Sequence, residues 1–501
     1  MRLLCLAVGL WLGLLARAAR ADEHALPAFD LDAQYAALHA AKRSHALRTA
    51  GEELAFLGVG TTWYWLARKQ NLFDWDRPSL KQRFTFEAMR FDNNKFPINF
   101  VWHPLSGAAY YAAPRTNGFS MWASSALALG ACVAWEYGIE FREKVSINDL
   151  IFTPLPAISV GEFYSRLALY LNRSPGRFGP VRKAVAYTFG FMQAGHDALD
   201  GTSTHVADEA DALGYAAGVA HRFEVSTGYG AQSTPAGSNA LFELRMDGEF
   251  IAIPRYGRAG QLRRLLHDGD FSRFGIHTAF GDAGQELDVH NDLTLLGYFI
   301  QHIDDAERGH TLFLGTSLGY RYRKLRFEGF SDALAITRLP GFALDSLIRW
   351  ADVAMRLRMR AHPEFAGVRA LAYHAYRAAH PDVMAKTTLD RDGYLYAFGA
   401  SLDATLDFDL AAHGGLGARL QLVYLNSKEG LDRNQEELTA DPRGVERALD
   451  AEGYVRAYPL GRARRLMVEL ALLTRRRDSR LGGAQAALSL LRGALRVGAD
   501  F

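Results

Sequence analysis

Cysteine is nearly missing from this 501-residue chain, which has only Cys5 and Cys132. Cys5 falls within an N-terminal leader and too early for a lipoprotein attachment site, so Cys132 stands alone and an internal disulfide is excluded. It sits in an apolar run and reads as a small buried hydrophobe. An excess of one charge is missing as well: 57 Lys and Arg face 55 Asp and Glu. That balance gives no electrostatic footing for nucleic acid. Long hydrophobic runs are scarce. The apolar core Leu3–Leu15 is too short to remain as an anchor. The charge-free stretch Phe119–Trp135 is short for a span, and its Ala, Ser, Leu and Gly suit close packing in a helical bundle. No Gly-rich fingerprint follows a strand and opens a helix, so no nucleotide cofactor is indicated. H-E-x-x-H and G-x-S-x-G are absent too.

What is present begins with an export signal. Met1-Arg2, the core Leu3–Leu15 and Ala19-Arg20-Ala21 ahead of Asp22 form the three regions of a secretory signal peptide, residues 1–21. The other end alternates. Leu491, Gly493, Leu495, Val497, Ala499 and Phe501 share one parity, and Arg492, Ala494, Arg496, Gly498 and Asp500 the other. A strand greasy on one face and polar on the other, ending in Phe, fits the closing strand of an outer-membrane β-barrel. Inside a bilayer a sheet satisfies its backbone only by closing on itself, and its side chains then alternate between lipid and lumen.

The hydrophobic period changes near residues 200–215, from helical before to two after. Helices are expected over Leu31–Lys69, from His103-Pro104 toward the Pro114/Asn117-Gly118 break, over Gly161–Leu171 and over Val181–Leu199. After Gly214 strands follow in series. The clearest is Tyr394–Leu410, with Tyr394, Tyr396 and Phe398 at one end and Phe408 near the other. Aromatics at both ends are the mark of interfacial girdles. Segments Ile253–Asp282 and Phe327–Ala379 are less regular, and Arg475-Arg476-Arg477 reads as a loop. Opposed charges such as Arg222, Glu243, Arg321, Asp403, Glu469 and Arg496 fall on the lumen parity. The expected fold is α+β: a helical bundle over 22–201, then an antiparallel transmembrane barrel over 215–501 of roughly 10–14 strands.

One stretch of the helical part stands out chemically. Asn99, His103-Pro104, Gly107 and Tyr110-Tyr111 lead to Arg115 and Asn117-Gly118. Trp135-Glu136-Tyr137, Glu140, Ser146, Asp149, Pro154 and Gly161-Glu162 follow. This order, from about Asp92 to Glu162, resembles an uncharacterised bacterial family built on a domain of unknown function. The resemblance implies an envelope protein with a helical region ahead of a barrel, and brings no established activity. Pro114 stands just before the motif arginine where the pattern calls for a small residue.

From the residues themselves, Glu136 and Glu140 are four apart and share a helix face. His103, Asp149 and Glu162 converge on them if the helices form a compact bundle. A His among carboxylates suits acid–base chemistry or a divalent ion, and the candidate catalytic set is His103, Glu136, Glu140, Asp149 and Glu162. Arg115, Tyr110 and Tyr111 are the candidate ligand contacts. The structural alternative stands beside these: His103 starting a helix, Ser146 and Asp149 capping one, and arginines neutralising buried carboxylates. No metal-ligand spacing of histidines occurs in this region, and no metal or cofactor is expected. The expected partners are outer-membrane lipid, lipopolysaccharide and, through the strand ending at Phe501, the barrel-assembly machinery. Three functions remain open: solute or lipid passage with the helices as plug or gate (periplasmic or in the lumen), an envelope hydrolase, and a structural protein.

Overall fold

The computed structural model describes residues 31–40, 43–67, 77–172, 179–201, 220–235, 237–282, 284–327, 330–350, 352–385, 387–410, 413–427, 440, 442–461 and 465–501. The expected signal peptide, residues 1–21, lies outside them. The longer helices are α1 (Ala46–Ala67), α2 (His103–Thr116), α3 (Met121–Ala134), α4 (Pro154–Asn172), α5 (Pro180–Phe189) and α6 (Phe191–Leu199). Proline occupies the first turn of α2, α4 and α5, where a missing N–H costs nothing. Pro114 does not end α2. The helix runs on to Thr116 and stops at Asn117 and Gly118, whose φ of 91° suits glycine.

Thirteen strands follow: β1 (Ala220–Thr234), β2 (Gly237–Ile251), β3 (Gly260–Leu266), β4 (Phe271–Gly281), β5 (Gly284–Ile303), β6 (Arg308–Phe327), β7 (Phe330–Trp350), β8 (Val353–Arg369), β9 (Tyr394–Leu410), β10 (Gly414–Ser427), β11 (Gly444–Ala457), β12 (Leu466–Leu481) and β13 (Ala484–Asp500). All pairings are antiparallel, and β13 pairs back onto β1 while β5 pairs with β6, which closes the sheet. β4 pairs with the first half of β5 and β3 with the second. These two are successive pieces of one broken strand, so the ring has twelve members. Ile253–Asp282 and Phe327–Ala379 looked irregular in sequence because this break and two register shifts on β7 and β8 disturb the period.

Ion pairs between strands that are not neighbours identify the inside. Arg356 of β8 meets Glu249 of β2 (2.7 Å), Arg475 of β12 meets Glu286 of β5 (2.6 Å), and Arg323 of β6 meets Asp450 of β11 (2.6 Å). Only the lumen lets such pairs form. Arg475 and Arg477 therefore belong to strand β12 and point inward, not to a loop; Arg476 faces out and pairs with Asp478. The opposite parity carries an apolar belt open to the surroundings, with Leu410, Leu422, Val455, Leu470, Leu495 and Val497 among its members.

Both ends of the lumen are filled by connections folded inward. At one end, residues 252–259 place Ile253 and Tyr256 against Phe271, Phe299 and Phe313, and Gln301 donates to the Arg255 and Arg258 carbonyls (3.0 Å each). At the other, residues 370–393 place Tyr376, Ala385 and Leu389 among Leu334, Ile336, Val368 and Leu395. Between the two lies a charged cavity of about 260 Å³.

The longer N-terminal helices pack outside the lumen. Phe163 of α4 stacks on Phe250 and Phe274. Tyr110, Tyr111 and Met121 pack on Leu293 and Leu318. Phe96, Phe100 and Phe152 pack on Tyr320, Phe365, Tyr394 and Tyr396. Phe250, Leu293, Tyr320 and Phe365 each flank an inward charge (Glu249, Asp292, Arg321 and Glu364), so they point outward. These contacts clasp the helical domain to the outer wall of the strand ring, where the sequence allows either a periplasmic or a lumenal position. Tyr394 and Tyr396, read above as girdle residues, are its anchors. The short helix Asp32–Leu38 stands beside β3, whose far edge has no strand neighbour among the described residues. There the Leu31 N–H reaches the Gln261 carbonyl, and the His39 ring lies 3.0 Å from the Ala252 carbonyl oxygen.

Candidate functional site

The sequence-predicted residues fall into two polar centres on the outer flank of the barrel. The first surrounds Glu162 in the middle of α4, which is fully buried. Arg115 near the end of α2 grips both carboxylate oxygens (2.7 and 2.9 Å), Arg166 one turn on adds 2.8 Å, and the Tyr111 hydroxyl donates at 2.6 Å. Burial alone would raise the Glu162 pKa, but Arg115 and Arg166 hold it below the usual carboxylate range. Arg115 also reaches Asp268 (3.0 Å), and Asp268 accepts from the Met121 N–H (3.1 Å). Asp268 sits in the break between β3 and β4, so this centre ties the helices to the discontinuity in the wall. Gly161 lets α4 approach closely, because a Cβ there would lie 2.6 Å from the Tyr111 ring. Tyr110 is buried edge-on to Phe56. The polar atoms of Arg115 and Tyr111 are committed to Glu162 and its surroundings, which gives these residues a fastening role.

The second centre gathers Asp92, Asn99, His103, Glu136, Asn148 and Asp149. Asn99 bridges the Asp92 carboxylate and the Tyr396 hydroxyl (both 2.6 Å), so a helical residue is bonded directly to an outward-facing strand residue. Asn148 donates to Asp92 (3.1 Å) and to Asp149 (2.7 Å). The Ser146 N–H donates to Glu136 (3.0 Å), and Ser146 Oγ accepts from the Asp149 N–H (3.3 Å). Glu140 does not share a face with Glu136. The helix loosens into a π turn over Trp135–Ile139 and stops, and Glu140 turns back to accept from the Trp135 indole (2.7 Å).

His103 lies at the edge of this centre. Its Nε2 is 3.6 Å from Asp149 and its Nδ1 is 3.2 Å from Thr153 Oγ1. Burial depresses the His103 pKa. Burial, reinforced by Asp92, Glu136 and Glu140, raises that of Asp149 well above the usual value. Burial likewise pushes Glu136 up to about 8, with the Ser146 N–H pulling the other way. Burial thus works against charge on both partners of the pair, favouring the imidazole as a proton acceptor and the carboxyl as a proton donor. The structure brings His103, Asp149 and Glu136 together, sends Glu140 to Trp135, and leaves Glu162 in the other centre.

Sequence reasoning missed a third group, inside the barrel. Asp247 of β2, His277 of β4 and His290 of β5 face the lumenal cavity, with one ligand atom of each lying within 4.8 Å of the others. The signal was available. Gly281 pairs with Gly284, and counting outward puts His277 opposite Asp288 and His290 opposite Gly275. The two histidines are thus diagonal neighbours on one face.

Residues 88–191 match the model of a family described as a domain of unknown function, DUF3943. No curated protein matches this chain. Among solved structures, the NanC porin is similar at 10% identity, covering 54% of this chain and 98% of its own, with a TM-score of 0.23. The translocator domain of the autotransporter NalP from Neisseria meningitidis is similar at 10% identity, covering 64% and 98%, with a TM-score of 0.24. The beta domain of a Bordetella autotransporter is similar at 10% identity, covering 56% and 100%, with a TM-score of 0.22. The barrel assignment rests on the closed strand ring itself.

Proposed function

We propose that this protein is an outer-membrane barrel that handles lipid at the flank of its wall, by means of the helical domain, and does not pass solutes through its lumen. The observation that carries the reading is where the helices pack: on outward-facing strand residues, beside a lumen filled at both ends. A barrel wall that faces bilayer presents its outer side to acyl chains, and a domain clasped there meets the same solvent. Its uncovered surface suits that solvent, with Trp63, Trp102, Trp122, Leu127, Leu129 and Val133 all exposed. An apolar surface of that extent on a water-facing domain would mark a contact site. Lipid, lipopolysaccharide and, through the strand that ends at Phe501, the assembly machinery are the partners this reading implies.

Two measurements test it. Full-length protein in planar bilayers should show no ohmic conductance. A nitroxide on Leu129→Cys in proteoliposomes should be relaxed by dissolved oxygen and shielded from a water-soluble nickel complex. Steady conductance, or a label open to nickel, overturns the reading. A second reading, an envelope hydrolase, is favoured by one observation: the His103–Asp149 pair lies beside the exposed Trp102 and Leu105. Under it His103 takes a proton from an attacking water and Asp149 returns one to the leaving group. His103→Gln would then abolish lipid turnover while the domain stays folded.

A further inference from the structure

The lumen holds a cluster that neither the helical domain nor the barrel's closure requires. The His277 Nε2 lies 2.9 and 3.0 Å from the two Asp247 oxygens, and the His290 Nε2 lies 3.6 Å from the nearer of them. The two imidazoles stand close to perpendicular, with ring centroids 4.9 Å apart at 76°. They come from three adjacent strands and turn the same way, into the charged cavity. Gly275 makes the convergence possible: a Cβ there would meet Asp247 Oδ1 at 2.5 Å and His290 Nε2 at 2.6 Å. The other His290 nitrogen lies 3.9 Å from Asp288, beyond hydrogen-bond distance. The guanidiniums beside the cluster, Arg245 and Arg321, are already paired with Glu452 (2.7 Å) and Asp288.

From this geometry we infer that Asp247, His277 and His290 form a lumenal site for a divalent first-row transition metal. Two imidazole nitrogens and one carboxylate are a ligand set that zinc and ferrous iron accept and that magnesium and calcium do not favour. Three protein ligands leave at least one coordination position, and here it opens on the cavity, where water or a small anion completes the sphere. Its ligands lie on three neighbouring strands, so the pairings of β2 with β4 and of β4 with β5 set the site. It does not depend on the lipid-flank reading of the helical domain and can stand or fall separately.

The test is cobalt binding to full-length protein in detergent, stripped with a chelator and freed of it. One equivalent of Co²⁺ should bind, giving visible d–d absorption that Zn²⁺ displaces. His277→Ala, His290→Ala and Gly275→Ala should each lose that absorption and at least ~10-fold in affinity, while His374→Ala, an exposed side chain on the inward-folded connection 370–393, keeps both. Heat-modifiable migration on gels checks that each variant still forms the barrel. Wild-type protein that binds no Co²⁺ overturns the inference. So does binding that survives in the folded His277 and His290 variants, since the ion would then sit elsewhere.

Discussion

At the scale of single residues, the contacts between helices and barrel make the sharpest demands. Phe100 fills a space on the outer wall that exists because residue 367 has no side chain, and a Cβ there would overlap its ring. Neither side can give cheaply, because Phe96, Phe152 and Tyr394 pack against the same ring. Gly367→Ala should loosen the helical domain by about 1–3 kcal/mol through overpacking, read as faster proteolysis between the helices with no change in the barrel. The Glu162 centre fails differently. Arg115→Met leaves a carboxylate with zero exposure and one guanidinium in place of two. Removing one partner of a buried pair costs about 3–5 kcal/mol, and the variant's helices should melt well below those of the wild type by circular dichroism.

At the scale of elements, the break between β3 and β4 is the weak place in the wall. The short helix Asp32–Leu38 covers it, fastened by the Tyr35 hydroxyl to Asp270 (2.9 Å) and by His39. Burial works against the charge on His39, but Asp268 and Asp270 outweigh it and hold the pKa up at about 9. A histidine whose folded pKa is raised stabilises the folded state fully below its unfolded value of about 6.5, and loses that contribution as pH rises through the folded one. The fastening should therefore be intact at pH 6 and weaken between about pH 6.5 and 9, by at most about 3 kcal/mol. Hydrogen exchange of residues 31–40 as a function of pH checks this: protection should fall over that window in the wild type and be low and flat in His39→Gln.

At the scale of the whole molecule, the two closures of the lumen are built on the barrel's own connections, with Leu31 and Tyr35 of the short N-terminal helix segment joining one of them and the longer helices joining neither. A chain starting near Gly214 should refold to a heat-modifiable barrel that conducts no better than the full-length protein. A channel that appears only on truncation would mean that the inward-folded segments 252–259 and 370–393 depend on the helices. The cross-lumen pairs support the first outcome. Arg356 reaches Glu249 and Asp345, Arg492 reaches Glu243 and Glu286, and Arg496 reaches Glu452 and Glu469. Each is a charge whose removal from water is offset by two partners, and together they brace the ring from inside.

The sequence by itself determined the order of helices before strands, the closed antiparallel barrel and the inward face of its charges. These follow from local periodicity: a strand such as β9 or β13 alternates whatever surrounds it. It also singled out Arg115, Glu136, Asp149 and Glu162, because charged residues in an otherwise apolar helical stretch must find partners. Only the tertiary structure decided which side of the wall the helices occupy. An outward Tyr396 or Phe365 reads the same whether it meets lipid or a helix, since both are apolar and period two carries no information about what lies beyond the strand. It likewise decided that Arg475 and Arg477 are lumenal, and that Asp247, His277 and His290 meet. Those facts depend on register between strands, which no one segment carries by itself.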